Sequence, residues 1–89
     1  MANPVQVTLT KNSWTSVATN VTQGMIRLLK RGTKSVLHTY RMTGGVAPTL
    51  RSEGAAIAPH VNDFEISSAA PIDVYLWIDD EDGTARRDV

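Results

Sequence analysis

The sequence contains no cysteine and little of the other chemistry that identifies an enzyme. Without cysteine there is no disulfide bridge and no thiolate metal site. The two histidines, His38 and His60, have no glutamate or cysteine at metal-ligand spacing, so we expect no metal ion and no other cofactor. No serine lies in a nucleophile elbow, and no glycine-rich phosphate loop is present. We therefore expect a protein that is not an enzyme.

Long apolar runs are also missing, since no stretch approaches the roughly 18 residues of a membrane-spanning helix. The first residues lack the basic and apolar regions of a signal peptide, so we expect no association with a membrane. The 89 residues are 42% apolar and 20% charged, which is ordinary for a globular protein. A chain of this size builds one core, which predicts a single β domain over residues 1–89.

Acidic residues are absent from the first 52 positions, which contain seven lysines and arginines and carry a charge of +7. Residues 53–89 contain nine acidic residues against two arginines, for a charge of −7. We expect strands from the two halves to neutralise each other within one domain, with part of the balance supplied between copies. Because the acidic charge is equal and aromatics number only five, the sequence argues against nucleic-acid binding.

Valine, isoleucine and threonine make up 24 of the 89 residues, a proportion that favours strands over helices. Alternating apolar and polar residues predict seven or eight short strands in an antiparallel β-sandwich, jelly roll or barrel. A helix over residues 21–30 is the alternative for one of them, disfavoured by Gly24. The predicted strands cover residues 5–10, 14–18, 25–31, 36–42, 55–58, 64–67, 72–78 and 84–89.

The strand over residues 72–78 has the clearest pattern, with four aliphatic residues on one face and Asp73, Tyr75 and Trp77 on the other. Tyr75 and Trp77 therefore belong either to a second apolar layer or to a surface that binds a protein or a sugar. Asp82-Gly83 predicts a hairpin turn that returns residues 84–89 beside this strand. Residues 31–34 predict a second hairpin turn, between the strands over 25–31 and 36–42.

Two clusters of charge flank these turns. The basic cluster consists of Arg27, Lys30, Arg31 and Lys34. It predicts a solvated hairpin edge or a protein contact. The acidic run 79–82 does not fit an EF-hand, because Ile78 and Val89 would occupy ligand positions and their side chains cannot bind calcium. We therefore interpret the run as a solvated hairpin tip. A calcium site of a different kind is the alternative. The candidate interface consists of Arg27, Lys30, Arg31, Lys34, Tyr75, Trp77, Asp79 and Asp80.

Strand and turn patterns follow one another in a fixed order along nearly the whole chain: VTLT (7–10), WTSVA (14–18), YRMTGGVAPT (40–49), EG (53–54), FEIS (64–67), IDVYLW (72–77) and GTARRDV (83–89). This order resembles the small virion proteins of tailed bacteriophages. The resemblance implies a β-sandwich or jelly-roll module that assembles on a capsid or a tail. The acidic run and the basic cluster depart from the pattern, so the resemblance does not indicate which surface binds the partner.

The resemblance leads us to expect a capsid decoration or cement protein. Such a protein binds the major capsid protein, forms a homo-oligomer, with a trimer favoured, and resides in the virion after assembly in the cytoplasm of the bacterial host. A tail- or fibre-associated adaptor is the alternative in the same setting. A carbohydrate-binding module that uses Tyr75 and Trp77 is the alternative from a different class.

Overall fold

The computed structural model describes residues 5–31, 34–59 and 61–88. Over these residues the chain is all-β, with a single 3₁₀ turn at Arg51–Glu53. Six antiparallel strands form one sheet, in the order β1-β6-β2-β5-β3-β4, which curls into a half-barrel. The strands are β1 (Val5–Leu9), β2 (Trp14–Lys30), β3 (Val36–Met42), β4 (Ala55–Ile57), β5 (Asp63–Ile78) and β6 (Gly83–Asp88).

The number of strands is smaller than predicted because two pairs of predicted strands are continuous. Residues 14–18 and 25–30 belong to one strand, β2, and residues 64–67 and 72–78 belong to β5. The residues between them, 19–24 in β2 and 68–71 in β5, remain part of the strands, and the pairing of β2 with β5 is irregular there. The helix considered for residues 21–30 is wrong, since this segment is strand throughout.

The two long strands bend sharply. A straight strand of 17 residues would span about 56 Å, whereas the longest dimension of the molecule is 32 Å. The pairing of β2 with β5 shifts register three times between Ser16 and Gln23, and such bulges bend a strand and increase its twist. Asn20 adopts a left-handed conformation there (φ 54°), which asparagine tolerates. Its N–H donates to the Asp73 carboxylate at 2.9 Å, which fixes the bend.

Neither predicted hairpin pairs the strands that flank it. Strands β2 and β3 lie on opposite edges of β5, so the hairpin predicted at residues 31–34, of which 32 and 33 lie outside the described residues, does not join neighbouring strands. Strand β6 pairs with β1 and β2 instead of returning beside β5. The reason is that both edges of the second half of β5 already have partners, β2 on one side and β3 on the other. The chain therefore carries β6 to the free edge of β2.

The hydrophobic core lies inside the curl of the sheet. The alternation predicted for residues 72–78 is confirmed: the aliphatic residues are at most 7% exposed, and the other three face the outside and are half-buried. Beyond the end of β1, Lys11 forms a bridge with Ile78 of β5, and the Asn12 N–H donates to the Ile78 carbonyl at 2.8 Å. The core comprises Leu9, Val17, Ala18, Ile26, Leu28, Val36, Ile57, Ile66, Ile72, Val74, Leu76, Ile78 and Ala85.

The first prediction tests the position of this core with two leucines that both lie in strands. Leu76 is fully buried and Leu29 is 48% exposed. Leu76→Ala should lower the free energy of unfolding by about 2–5 kcal/mol, because it removes buried methyl groups and leaves a cavity. The matched control Leu29→Ala should stay within about 0.5 kcal/mol of the wild type. Urea denaturation of the two variants measures the difference, and equal effects would contradict the assignment of inner and outer faces.

Candidate functional site

The basic residues of the candidate interface remain at the surface, with one exception. Arg27 is exposed on β2, directly opposite Asp63 of β5, and its guanidinium lies 3.5 Å from the Asp63 carboxylate. Both side chains are about half exposed, so this ion pair contributes little to stability. Lys30 is exposed at the end of β2, and Lys34 is half-buried. These three residues stay available for contact with another molecule.

Arg31 is the exception, and its prediction as part of an exposed hairpin edge is wrong. The residue is only 8% exposed. Its guanidinium donates to three backbone carbonyls, those of Ile57 at 3.3 Å, Ala58 at 3.2 Å and Val61 at 3.0 Å. A buried charge is tolerated when its donors are satisfied in this way. Arg31 therefore ties the chain after β4 to the end of β2 rather than facing a partner.

The aromatic residues of the candidate interface lie on the outer face of the sheet. Trp77 lies opposite Trp14 of β2, with ring centroids 5.6 Å apart in an edge-to-face arrangement. On its other side Trp77 lies opposite Leu37 of β3, which is 4% exposed although it faces outward. The Trp77 ring thus belongs to a second apolar layer, the first of the two interpretations above. Tyr75 precedes it on the same face and is half-buried.

A connecting segment covers this second layer. We call residues 43–54, between β3 and β4, the strap. The Trp14 indole N–H donates to the Leu50 carbonyl of the strap at 3.0 Å. Gly54 ends the strap so close to Trp14 that any Cβ would overlap the indole ring, and that Cβ would also lie 3.1 Å from the Leu37 side chain. Sequence analysis left this segment between two predicted strands and did not find its covering role, because contact with the face of the sheet leaves no periodic pattern.

Glu53 shapes the strap through its two carboxylate oxygens. One oxygen accepts the backbone N–H groups of Thr49 and Leu50, both at 2.7 Å. The other lies 2.8 Å from the Arg41 guanidinium of β3. These interactions hold the pKa of Glu53 below its usual value, chiefly through the N–H of Leu50 and then that of Thr49, with a smaller effect from Arg41. Glu53 therefore stabilises the turn at residues 49–53 of the strap and fastens the strap to β3.

Asp79 holds the strap from the other side, so its assignment to a solvated hairpin tip is wrong. Its carboxylate accepts two hydrogen bonds from Arg51, at 3.0 and 2.7 Å, and one from the Trp77 indole N–H at 2.7 Å. The hydrogen bond from Arg51 is the main reason that the pKa of Asp79 lies below its usual value, and Trp77 adds to the effect. The same pair raises the pKa of Arg51. A bidentate pair of this kind fixes geometry as well as charge.

The rest of the acidic run is pinned to the turn between β1 and β2. Asp80 is exposed and has a left-handed backbone (φ 63°), and its N–H donates to the Asn12 side-chain oxygen at 3.0 Å. Asp82 accepts the Lys11 N–H at 2.9 Å. The Asp82 and Asp79 carboxylates are thus engaged in internal contacts, and Asp80 is the member of the candidate interface in this run that faces solvent.

The predicted neutralisation of the two halves within one domain is confirmed in part. Within the described residues, three ion pairs join a basic residue of the first half to an acidic residue of the second: Arg27–Asp63, Arg41–Glu53 and Arg51–Asp79. The end of the basic cluster also meets the start of the acidic run, since the Asp79 N–H donates to the Ser35 carbonyl at 3.0 Å. The contribution of neighbouring copies stays a prediction.

The structure also brings together an apolar site that sequence analysis did not single out. Tyr40 and Met42 lie on the core-facing side of β3, opposite Val74 and Ile72, yet they are 62% and 57% exposed. Tyr40 borders a cavity of about 250 Å³ between β3 and β5, and Met42 follows Tyr40 on the same face of β3. The alternation in β3 was a usable signal, because it placed both residues on the face that carries Val36. The alternation does not show that the curled sheet is open at the end where Tyr40 and Met42 lie.

No three His, Cys, Asp or Glu side chains of the described ranges come close enough together to hold a metal ion. His60 lies outside those ranges, and His38 packs near Phe64 with ring centroids 5.6 Å apart. The same ranges contain no helix of the length and apolar character that crossing a membrane requires. Comparison of the chain with protein-family models, curated proteins and solved structures finds no match.

The second prediction concerns the pH dependence of the strap. Because the pKa values of Glu53 and Asp79 are lowered in the folded protein, the unfolded chain takes up protons first as the pH falls. The stabilisation is complete above the ordinary carboxyl pKa of about 4 and is lost as the pH falls below it through the folded values. We expect thermal melting to show this loss between roughly pH 5 and pH 2.

The variant Asp79→Asn should make the dependence on pH shallower, since it removes one of the two linked carboxyls. Glu81→Gln is the matched control, because Glu81 is an exposed acid of the same run whose side chain makes no hydrogen bond to the described residues. Tryptophan fluorescence follows the same titration locally, as Trp14 and Trp77 are the only tryptophans. A dependence on pH that is identical in Asp79→Asn and the wild type would contradict the role given to this pair.

Proposed function

We propose that this protein is a structural component of a bacteriophage virion that decorates and reinforces the capsid by binding the major capsid protein. The setting comes from the resemblance to small virion proteins of tailed phages. The proposed reinforcement of the capsid is supported by the structure, a small sheet whose strap is held to it by ion pairs. Bound at many equivalent positions, such a module turns modest contacts into firm reinforcement of a shell.

The observation that carries the proposal is the exposed apolar pair Tyr40 and Met42, of which Tyr40 borders an open cavity. These two side chains are adjacent on one face of β3, whereas single exposed apolar residues elsewhere need no explanation. Aromatic and methionine side chains are enriched where proteins bind each other. A fold that exposes such a pair, with one of the two residues at a cavity, is suited to assembly.

Assembly also accounts for the expected architecture. The half-barrel is a single curled sheet with an open end, whereas the resemblance implies a sandwich or jelly roll. In our proposal, a neighbouring protein covers the open end of the half-barrel when the module binds. We propose further that the copies form a closed ring, with a trimer favoured, in which Arg27, Lys30 and Lys34 contact acidic residues such as Asp80 of the next copy.

The alternative functions are less well supported. A tail- or fibre-associated adaptor would use the same exposed pair, so it differs only in the partner. A carbohydrate-binding module needs flat aromatic rings open to solvent. Trp77 is half-buried against Trp14, and its N–H is already bonded to Asp79. This arrangement argues against a sugar platform built from Tyr75 and Trp77.

The third prediction tests the exposed pair by co-sedimentation with shells assembled from the major capsid protein of the same phage. The wild-type protein should sediment with the shells in a fixed ratio to the capsid protein. The variant Tyr40→Ser/Met42→Ser should bind about tenfold more weakly or worse, because it removes apolar area from the contact.

The control is Leu29→Ser/Val46→Ser, which changes two exposed apolar residues that lie outside the pair. It should sediment as the wild type does. Binding to isolated tails and not to shells would favour the adaptor. Failure to bind either particle, with the protein folded, would overturn the proposal.

A further inference from the structure

The cavity beside Tyr40 is lined by two strands, β3 and β5, each of which has a partly paired edge. Strand β5 has two partners over its second half, but over residues 63–67 its described pairing is with β2 alone. Strand β3 pairs with β4 only through Val36, Leu37 and His38, so its residues 39–42 have β5 as their sole described partner. Side chains of both segments line the same cavity. An unpaired edge exposes backbone N–H and C=O groups that can pair with another strand.

The two edges differ in what their backbone groups already bond. On β3, the Tyr40 carbonyl accepts a hydrogen bond from the Arg41 guanidinium at 3.0 Å, and the Met42 carbonyl accepts the Gly45 N–H at 2.8 Å. No comparable bond from a described side chain or loop reaches residues 63–67 of β5. The edge of β5 is therefore the one that is ready to accept a strand.

The size and lining of the cavity indicate what enters it. Its volume of about 250 Å³ is below the range of roughly 300–1,000 Å³ that holds drug-sized ligands and cofactors. Its walls include Tyr40, Phe64, Ile66 and Ile72, with the ring of His38 near that of Phe64. An apolar side chain presented by a neighbouring strand suits this space and this lining.

Charge along the same edge indicates what accompanies the apolar side chain. Because Phe64 and Ile66 point inward, Asp63 and Glu65 project from the opposite face of β5. Asp63 is already paired with Arg27. Glu65 is exposed and lies opposite the uncharged Met25 of β2. A basic residue on an added strand would give Glu65 an opposite charge directly across the pair.

We propose that an extended segment of the partner protein adds to β5 at residues 63–67 as a seventh strand, with an apolar side chain in the cavity and a basic side chain beside Glu65. This recognition mode combines main-chain hydrogen bonds for affinity with a side-chain pocket for specificity. The inference rests on the proposed function, since it names the surface through which the partner is bound.

The experiment uses the full-length protein and a synthetic peptide of seven residues in which lysine alternates with isoleucine. Titration followed by NMR should shift the backbone amide signals of residues 63–67, together with side-chain signals of the cavity. A peptide with N-methyl groups on alternate amides should bind about tenfold more weakly or worse, because it cannot form the strand pairing. A peptide with alanine in place of its central isoleucine should also bind more weakly, because it leaves the cavity unfilled.

The variant Glu65→Gln should weaken binding about two- to fivefold, the range expected for one cross-strand charge pair. Glu81→Gln, which removes an exposed acid outside this edge, should bind as the wild type does. Shifts confined to other strands, or equal binding of the N-methylated peptide, would overturn the inference. Self-association of the peptide-free protein through the same amides would overturn it in favour of a second copy as the occupant.

The outcomes separate this inference from the function on which it rests. If the peptide binds at β5 but the protein does not sediment with shells or tails, the strand-addition site stands and the proposed virion role fails. If the protein sediments with shells and neither Glu65→Gln nor excess peptide affects binding, the virion role stands and the strand-addition site fails.

Discussion

The pairing of β2 with β5, together with the bend that both strands share, is the constraint on which the rest of this structure depends. The two strands are 17 and 16 residues long and pair along most of their length, yet the molecule is only 32 Å in its longest dimension. The bulges between Ser16 and Gln23 resolve the conflict by turning the ribbon, and the hydrogen bond from Asn20 to Asp73 fixes the turn. Once the ribbon bends, its inner face holds the core and its edges determine where every other strand can pair.

The two faces of the bent sheet differ in how they are covered. On the outer face, the strap covers Trp14, Trp77 and Leu37, and the carboxylates of Glu53 and Asp79 fasten it by charge-assisted hydrogen bonds. On the inner face, the curl stops short of closing, which leaves Tyr40 and Met42 exposed and a cavity beside Tyr40. It also leaves one edge of β5 at residues 63–67 without a strand partner among the described residues. The outer face is thus completed by the chain itself, whereas completion of the inner face is what we propose a partner supplies.

The sequence predicted the strands well and their arrangement poorly, for physical reasons. Alternation in β5 identified Ile72, Val74, Leu76 and Ile78 as core, because side-chain direction depends only on local backbone geometry. Strand order depends on which edges are free, which is a property of the whole sheet, so the two predicted hairpins were wrong. Within the candidate interface, residue type predicted exposure for Arg27, Lys30 and Asp80 but not for Arg31 or Asp79, whose charges are engaged by groups distant in sequence. The cavity required the bend of β5 and could not be deduced from alternation in β3.

Nuclear Overhauser effects between backbone protons test the bent β2–β5 ribbon most directly. The account predicts, within one molecule, cross-strand contacts of Ile26 with Phe64, of Leu28 with Ala85, and of Thr15 with Leu76. The first and third contacts place both halves of β2 on β5, and the second places β6 on the other edge of β2. Contacts between β5 and β6 across a simple hairpin at residues 79–82, in place of the contact between Leu28 and Ala85, would contradict the account.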